Sequence, residues 1–217
     1  MPDPPPLPPP TPLTLPTPPA LPRGSTILVT GANGLIASHI CDYLLAQGYH
    51  VRGTVRSLTR SAWLAALLTT RHGGGRFTLI EVPDMAAAGA FDDAGYPSSS
   101  QWAPKAFTGD PDFKRFPTFY WINIKDMARL HVAALLHPEV KNERIFGFAG
   151  TYTMNEFLAF YRKHYPDREF PADIPGVECD LAEIEPAKRA EELLKEMGRP
   201  GYETLEDTVL DNVIDIA

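Results

Sequence analysis

The chain has 217 residues, 44% of them hydrophobic, and a formal net charge of -7 at pH 7. That is room for one sizeable domain or two small ones of globular composition. An acidic balance with no basic cluster argues against a nucleic-acid partner, whose binding rests on phosphate neutralisation. No apolar run reaches membrane-spanning length, and no charged segment leads into a long apolar one as in a secretory signal, so no membrane partner is expected and the chain is placed in the cytoplasm.

About half of the 23 prolines precede Arg23, in a stretch without glycine or apolar periodicity. Residues 1–24 are therefore expected to form a disordered, extended polyproline-II tail. Cys41 and Cys179 are the only cysteines, and Cys41 reads as a core thiol within a helix. The histidines, His39, His50, His72, His131, His137 and His164, have no paired spacing suited to a metal, and none is expected.

The stretch Ile27-Leu28-Val29-Thr30-Gly31-Ala32-Asn33-Gly34-Leu35-Ile36-Ala37 is an apolar strand, about 26–30, that breaks at a glycine turn and restarts as a helix. Gly31 serves the tight turn, and Gly34 removes a side chain where a pyrophosphate would press on backbone. Ala37 is small enough for the helix to lie close to the strand. Ile36, Ile40, Tyr43, Leu44 and Gln47 fall on one helix face, with Gly48 as the stop. The free N–H groups and positive end of that helix would face phosphates. Ordinary strand-to-helix turns also carry Gly-x-x-Gly-x-x-Ala, so the following strand has to weigh in.

That strand, His50 to Arg56, alternates with period two and ends on a base rather than an acid. An acid there binds the ribose 2′-hydroxyl of NAD, whereas an arginine suits the 2′-phosphate of NADP. Arg56 therefore points to NADP, and Arg60 shares the phosphate if a helix begins at Ser57 or Thr59. Arg52 lies roughly 13 Å back, at about 3.3 Å per residue, and is left out of the site. Solvated surface arginines are the alternative for both.

A helix with Trp63, Leu64, Leu67 and Leu68, the flexible loop His72-Gly73-Gly74-Gly75 and a third strand, Arg76 to Val82, complete a βαβαβ unit over residues 25–94. This is one mononucleotide-binding half of a doubly wound parallel sheet. Asp84 and Met85 follow the third strand where an adenine ring would lie, or are ordinary loop residues beside Pro83. Residues 95–217 read as helix-rich. Asp126 caps a helix carrying Met127, Leu130, Ala134 and Leu135, which ends at Pro138. Arg144 to Ala149 reads as a short strand. Thr153-x-x-Glu156 is a capping box before Phe157, Phe160, Tyr161 and His164. Pro186 opens a helix with Leu193, Leu194 and Met197 that Gly198 stops, and Thr204 opens a last one burying Leu205, Val209, Val213 and Ile216. Asp126 and His131 read better as a cap and a half-buried histidine than as an acid/base pair.

Four stretches resemble the extended short-chain dehydrogenase/reductases, of NAD-dependent epimerase/dehydratase type. They are similar to the branch of NADPH-dependent aldehyde and ketone reductases that includes methylglyoxal, dihydroflavonol and cinnamoyl-CoA reductases. The stretches are Leu28 to His39, Val51 to Ser57, Val82-Pro83-Asp84-Met85 and Ile124 to Leu135; with Asn142 to Phe146 they cover nearly everything after residue 24. The resemblance implies a Rossmann-type sheet. It also implies pyrophosphate held by Gly31, Ala32, Asn33, Gly34, Leu35 and Ile36, 2′-phosphate by Arg56 and Arg60, and the adenine end by Asp84 and Met85. The parent activity that the resemblance implies would be hydride transfer between NADPH and a small aldehyde or ketone.

Those reductases donate a proton from a tyrosine assisted by a lysine four residues later, because i and i+4 on one helix face bring the ammonium to the phenol and lower its pKa. Here Tyr43, Tyr49, Tyr96, Tyr120, Tyr152, Tyr161, Tyr165 and Tyr202 have Gln47, Gly53, Ser100, Ile124, Glu156, Tyr165, Glu169 and Glu206 at that position. No catalytic residue is therefore assigned. Tyr120 and Lys125 are one residue too far apart, and the family's intervening segment, on the order of a hundred residues with the second half of the sheet, is absent near Ala94 and Gly95.

The leading reading is an internally truncated reductase with its NADP half and a C-terminal substrate-domain remnant. The alternative is a non-catalytic NADP-binding or interaction module whose tail docks an aromatic-lined groove; a chain without function of its own is a third. Loss of the later strands would make the first strand a sheet edge prone to self-association, unless Arg144 to Ala149 pairs with it. It would also expose Leu193, Leu194 and Met197.

Overall fold

A computed structural model of the chain describes residues 10–82, 102–115, 117–214 and 216–217. Three strands, β1 (Thr26–Val29), β2 (His50–Val55) and β3 (Phe77–Glu81), form a parallel sheet in that order, with Thr26 opposite His50 and Val55 opposite Glu81. The helices α1 (Leu35–Ala46) and α2 (Ala62–His72) are the crossovers. Right-handed crossovers in a sheet that runs in one direction put both helices on one face. Ile27, Val29, Val51 and Val55 are buried on the covered side, whereas Leu28, Arg52 and Thr78, which stand in register across the sheet, are exposed. Leu28 is 61% exposed. One helical layer thus covers one face of the sheet, and among the described residues no element covers the other at Leu28.

Among the described residues β1 pairs with β2 alone. Arg144 to Ala149 neither forms a strand nor joins it. That segment instead runs over α4 (Ile124–Leu136), with Ile145 packed near Leu130; a Cβ at Gly147 would come within 2.9 Å of Ile122 Cδ1. The second sheet is an antiparallel pair, β4 (Thr118–Trp121) with β5 (Gly150–Thr153).

In α1 the burial sits in the C-terminal two-thirds, at Cys41, Tyr43, Leu44 and Leu45, and Gly48 at φ +87 stops the helix. Leu35 and Ile36, at its start, are exposed. Helix α4 packs on α1, and α6 (Ala187–Glu196) packs on α4. The cap of α4 is Asn123, whose side chain accepts from the Lys125 N–H at 2.8 Å, and not Asp126 as expected. Asp126 is fully buried one turn in, where Arg129 and the Glu203 N–H donate to its two oxygens at 2.6 and 2.7 Å. Burial is the main cause of its raised pKa, and those two donors oppose it.

The helices α3 (Trp102–Thr108), α5 (Met154–His164) and α7 (Leu205–Asp211) enclose a second core, with Phe107, Phe113, Phe157, Tyr161 and Val209 buried. Thr153 and Glu156 form the expected capping box of α5. Leu193, Leu194 and Met197 are buried rather than exposed, because α4 and the N-terminal segment cover α6.

Residues 10–22 differ from the free tail expected of so proline-rich a stretch. They run extended across the ends of three helices, and Leu13 is 4% exposed in the same core as Tyr49, Leu136 and Met197. Prolines leave few backbone donors, and two of those present reach carbonyls at helix ends. Thr14 N–H donates to Met197 O and Ala20 N–H to Leu136 O, both at 2.8 Å. The Leu13 and Leu21 carbonyls accept from Gln47 Nε2 and the Tyr49 hydroxyl, also at 2.8 Å.

Candidate functional site

The glycine turn leaves β1 at the carboxyl end of the sheet, where parallel folds bind ligands. Gly31 has φ +60, a conformation that side chains other than glycine's disfavour. Its N–H donates to Thr54 Oγ1 at 3.1 Å, the Ala32 N–H to Thr54 O at 2.8 Å, and the Gly34 N–H to Gly31 O at 2.8 Å. The turn is thereby fastened to β2. Ala32 is fully buried against Gly53, where a Cβ would lie 2.6 Å from that of Ala32. Sequence reasoning missed Gly53 and Thr54; a glycine inside an alternating strand was the signal of close backbone approach.

Helix α1 starts directly after the turn. Ser38 N–H to Gly34 O, at 2.9 Å, is its first helical bond, so the N–H groups of Leu35, Ile36 and Ala37 have no partner within the helix. The N-cap Gly34 makes no side-chain cap, and the first turn carries no acid. A Cβ on Gly34 would meet Gly31 O at 3.1 Å. An end with uncapped donors and a positive dipole suits a pyrophosphate.

Gly31, Asn33, Thr54, Val55, Arg56 and Val82 line one concavity of about 150 Å³. The structure therefore brings together Gly31, Asn33 and Arg56, with Ala32 as the buried floor of the turn and Leu35 and Ile36 exposed beside it. Arg56 and Arg60 are both exposed. They do not share a helix face, because α2 begins only at Ala62; a turn from Leu58 to Ser61 connects them instead. Ser57 Oγ accepts from the Arg60 N–H at 3.4 Å, and the Glu81 carboxylate accepts from the Leu58 N–H at 3.2 Å. Asp84 and Met85 lie outside the described residues, as does the joint at Ala94 and Gly95.

No described tyrosine is paired with a lysine for proton transfer. The Tyr120 hydroxyl donates to Asp180 at 3.0 Å, while Lys125 pairs with Asp211 at 2.6 Å. Tyr161 is buried with its hydroxyl on the Ala103 carbonyl, and burial raises its pKa. Tyr202, on the Ala187 carbonyl, is pushed up to about 12, chiefly by burial. Asp126 and His131 do not meet either, since His131 Nδ1 lies 2.8 Å from Met127 O. Burial pushes the Cys41 thiol up to about 12, in keeping with a core thiol. A second hollow, of about 190 Å³, has Met127, Leu130 and Ile145 among its walls, with His131 and Glu143 as its titratable groups.

Residues 27–91 match the family described as the NAD dependent epimerase/dehydratase family. Over those residues the chain carries an epimerase/dehydratase-type domain. It is similar to aldehyde reductase 2 of Sporidiobolus salmonicolor, 24% identical over 331 residues that take in 88% of this chain and 96% of the relative. It is also similar to ketoreductase nvfG of Aspergillus novofumigatus, 40% identical over 114 residues, 51% of this chain and 33% of that protein. Among solved structures, the yeast methylglyoxal/isovaleraldehyde reductase Gre2, complexed with NADPH, superimposes with a TM-score of 0.65 at 16% identity. That superposition covers 88% of this chain and 98% of that one. The 331-residue alignment is longer than the whole 217-residue chain, so a long part of the aldehyde reductase has no counterpart here. That difference in length is consistent with an internal truncation relative to the aldehyde reductase.

Proposed function

We propose that the chain is an NADP-binding member of the reductase branch whose catalysis is impaired. The observation that carries this is the concavity where the glycine turn after β1 meets Arg56, directly after β2. Gly31 to Ile36 would take the pyrophosphate, Arg56 and Arg60 the 2′-phosphate, and Asp84 with Met85 the adenine end. When bound, NADPH supplies a hydride for a small aldehyde or ketone, the substrate class that the relatives' names indicate. The uncapped start of α1 binds and orients phosphate, and Thr54 holds the turn that presents it. No described tyrosine and lysine stand together to deliver a proton to a substrate oxygen.

Residues 25–94 are the cofactor half, and 95–217 carry the substrate-domain remnant. No helix among the described residues is long and apolar enough to cross a membrane; a cytoplasmic placement is part of the proposal. A free polyproline tail serving a partner is disfavoured for residues 10–22, whose Leu13 is buried in the chain's own core. Isothermal titration with NADPH and NADH tests the reading. NADPH is expected to bind more tightly, and Arg56→Asp to abolish the preference; equal affinity in the unsubstituted chain would overturn it.

A further inference from the structure

The geometry points to Glu81 as a specificity residue that sets its carboxylate against the 2′-phosphate and narrows the preference for NADPH. This rests on the proposed NADP site. In dinucleotide sites of this fold an acid at the end of the second strand rejects the 2′-phosphate, and here β2 ends at Val55 and is followed directly by Arg56. The acid arrives from the neighbouring strand instead. Glu81 closes β3 directly opposite Val55, one strand spacing of about 4.8 Å away. Its exposed side chain reaches back over the turn between Arg56 and Arg60, where one carboxylate oxygen accepts the Leu58 N–H at 3.2 Å.

A carboxylate and a phosphate monoester compete for the same resources, cationic side chains and backbone N–H groups. The segment expected to receive the 2′-phosphate thus already serves an anion of the chain itself. The Ser61 and Ala62 N–H groups are engaged within the turn by Leu58 O and Thr59 O, at 3.2 and 3.5 Å. A phosphate drawn to Arg56 and Arg60 therefore sits beside a fixed negative charge. NADH, with a hydroxyl at that position, meets no such repulsion. Glu81 is specific to the discrimination between the two nucleotides, because the proposed pyrophosphate site at the start of α1 follows β1, two strands away in the sheet.

Glu81→Gln retains an acceptor for the Leu58 N–H and removes the charge. Calorimetric titration of the full chain with NADPH and with NADH should show NADPH tightening by about 3- to 10-fold, as expected for one charge at a solvent-exposed site, with NADH unchanged. The gain should shrink in about 1 M salt, where the Debye length is about 3 Å. Glu81→Lys should raise the NADPH to NADH ratio further. An unchanged or lowered ratio in Glu81→Gln would overturn the inference and leave Glu81 a brace for the turn, while equal tightening of both nucleotides would overturn it as a general charge effect. In either case the NADP site stands. Failure of the unsubstituted chain to bind either nucleotide would remove the site and the inference together.

Discussion

Ala32 occupies the space that a side chain on Gly53 would need: a Cβ there would lie 2.6 Å from the Ala32 Cβ, with Leu79 Cδ2 at 3.3 Å on the other side. The glycine turn is therefore seated on the second strand, and its position depends on a residue outside the turn. Gly53→Ala should lift the turn from β2 and strain the two Thr54 bonds, at a cost of about 1–3 kcal/mol, as for overpacking a close-packed site. Thermal melts and NADPH titration would register this as lower stability and weaker binding together. Unchanged values for both would show that the turn is not pressed on β2.

The N-terminal segment and the end of α6 interlock in a similar way. Gly198 has φ +81, and a Cβ there would fall 2.5 Å from Thr14 Oγ1. Leu13→Ala should destabilise the fold by about 2–5 kcal/mol, the range for emptying a buried leucine site. Gly198→Ala should cost less when Thr14 is replaced by glycine, which leaves only the strain of positive φ. Denaturant melts of the two singles and the double would measure that coupling; strict additivity, or a neutral Leu13→Ala, would mean that the segment is free in solution.

Strand β1 has a described partner on one side only, and its Leu28 is 61% exposed. An unblunted apolar edge is a template for pairing with another chain. Sedimentation at rising concentration should show self-association, with early amide exchange across residues 26–30. Leu28→Lys should suppress the association. A concentration-independent monomer with protected β1 amides would refute it.

Steady carbonyl reduction is not expected. A positioned general acid is commonly worth about 10²–10⁴-fold, and orientation of the substrate more still. NADPH oxidation followed in the presence of methylglyoxal should stay at background. Turnover that survives removal of contaminants and disappears in a single-residue variant of this chain would identify a substitute acid.

Local pattern alone determined the strand, glycine turn and helix start that open the parallel sheet. The run from Ile27 to Ala37 carries its own turn and helix start, because those features depend on glycine stereochemistry and apolar spacing within a dozen residues. The capping box at Thr153 and Glu156 was legible for the same reason. Tertiary structure alone decided matters that depend on what lies opposite. Leu28 lies in the apolar run Ile27-Leu28-Val29, yet it is exposed, since coverage of a strand depends on a second helical layer rather than on the strand's apolarity. Arg144 to Ala149 has strand-like residues but lies over α4, while the Thr118–Trp121 strand pairs with Gly150–Thr153. The proline-rich segment looked solvated because it lacks periodicity, and Leu13 is buried because three helix ends leave it an apolar slot. Glu81 stands 25 positions from Arg56 in the chain and beside its turn in space, since β2 and β3 run in register. Charge acts across that gap through distance in the fold, to which spacing along the chain is blind.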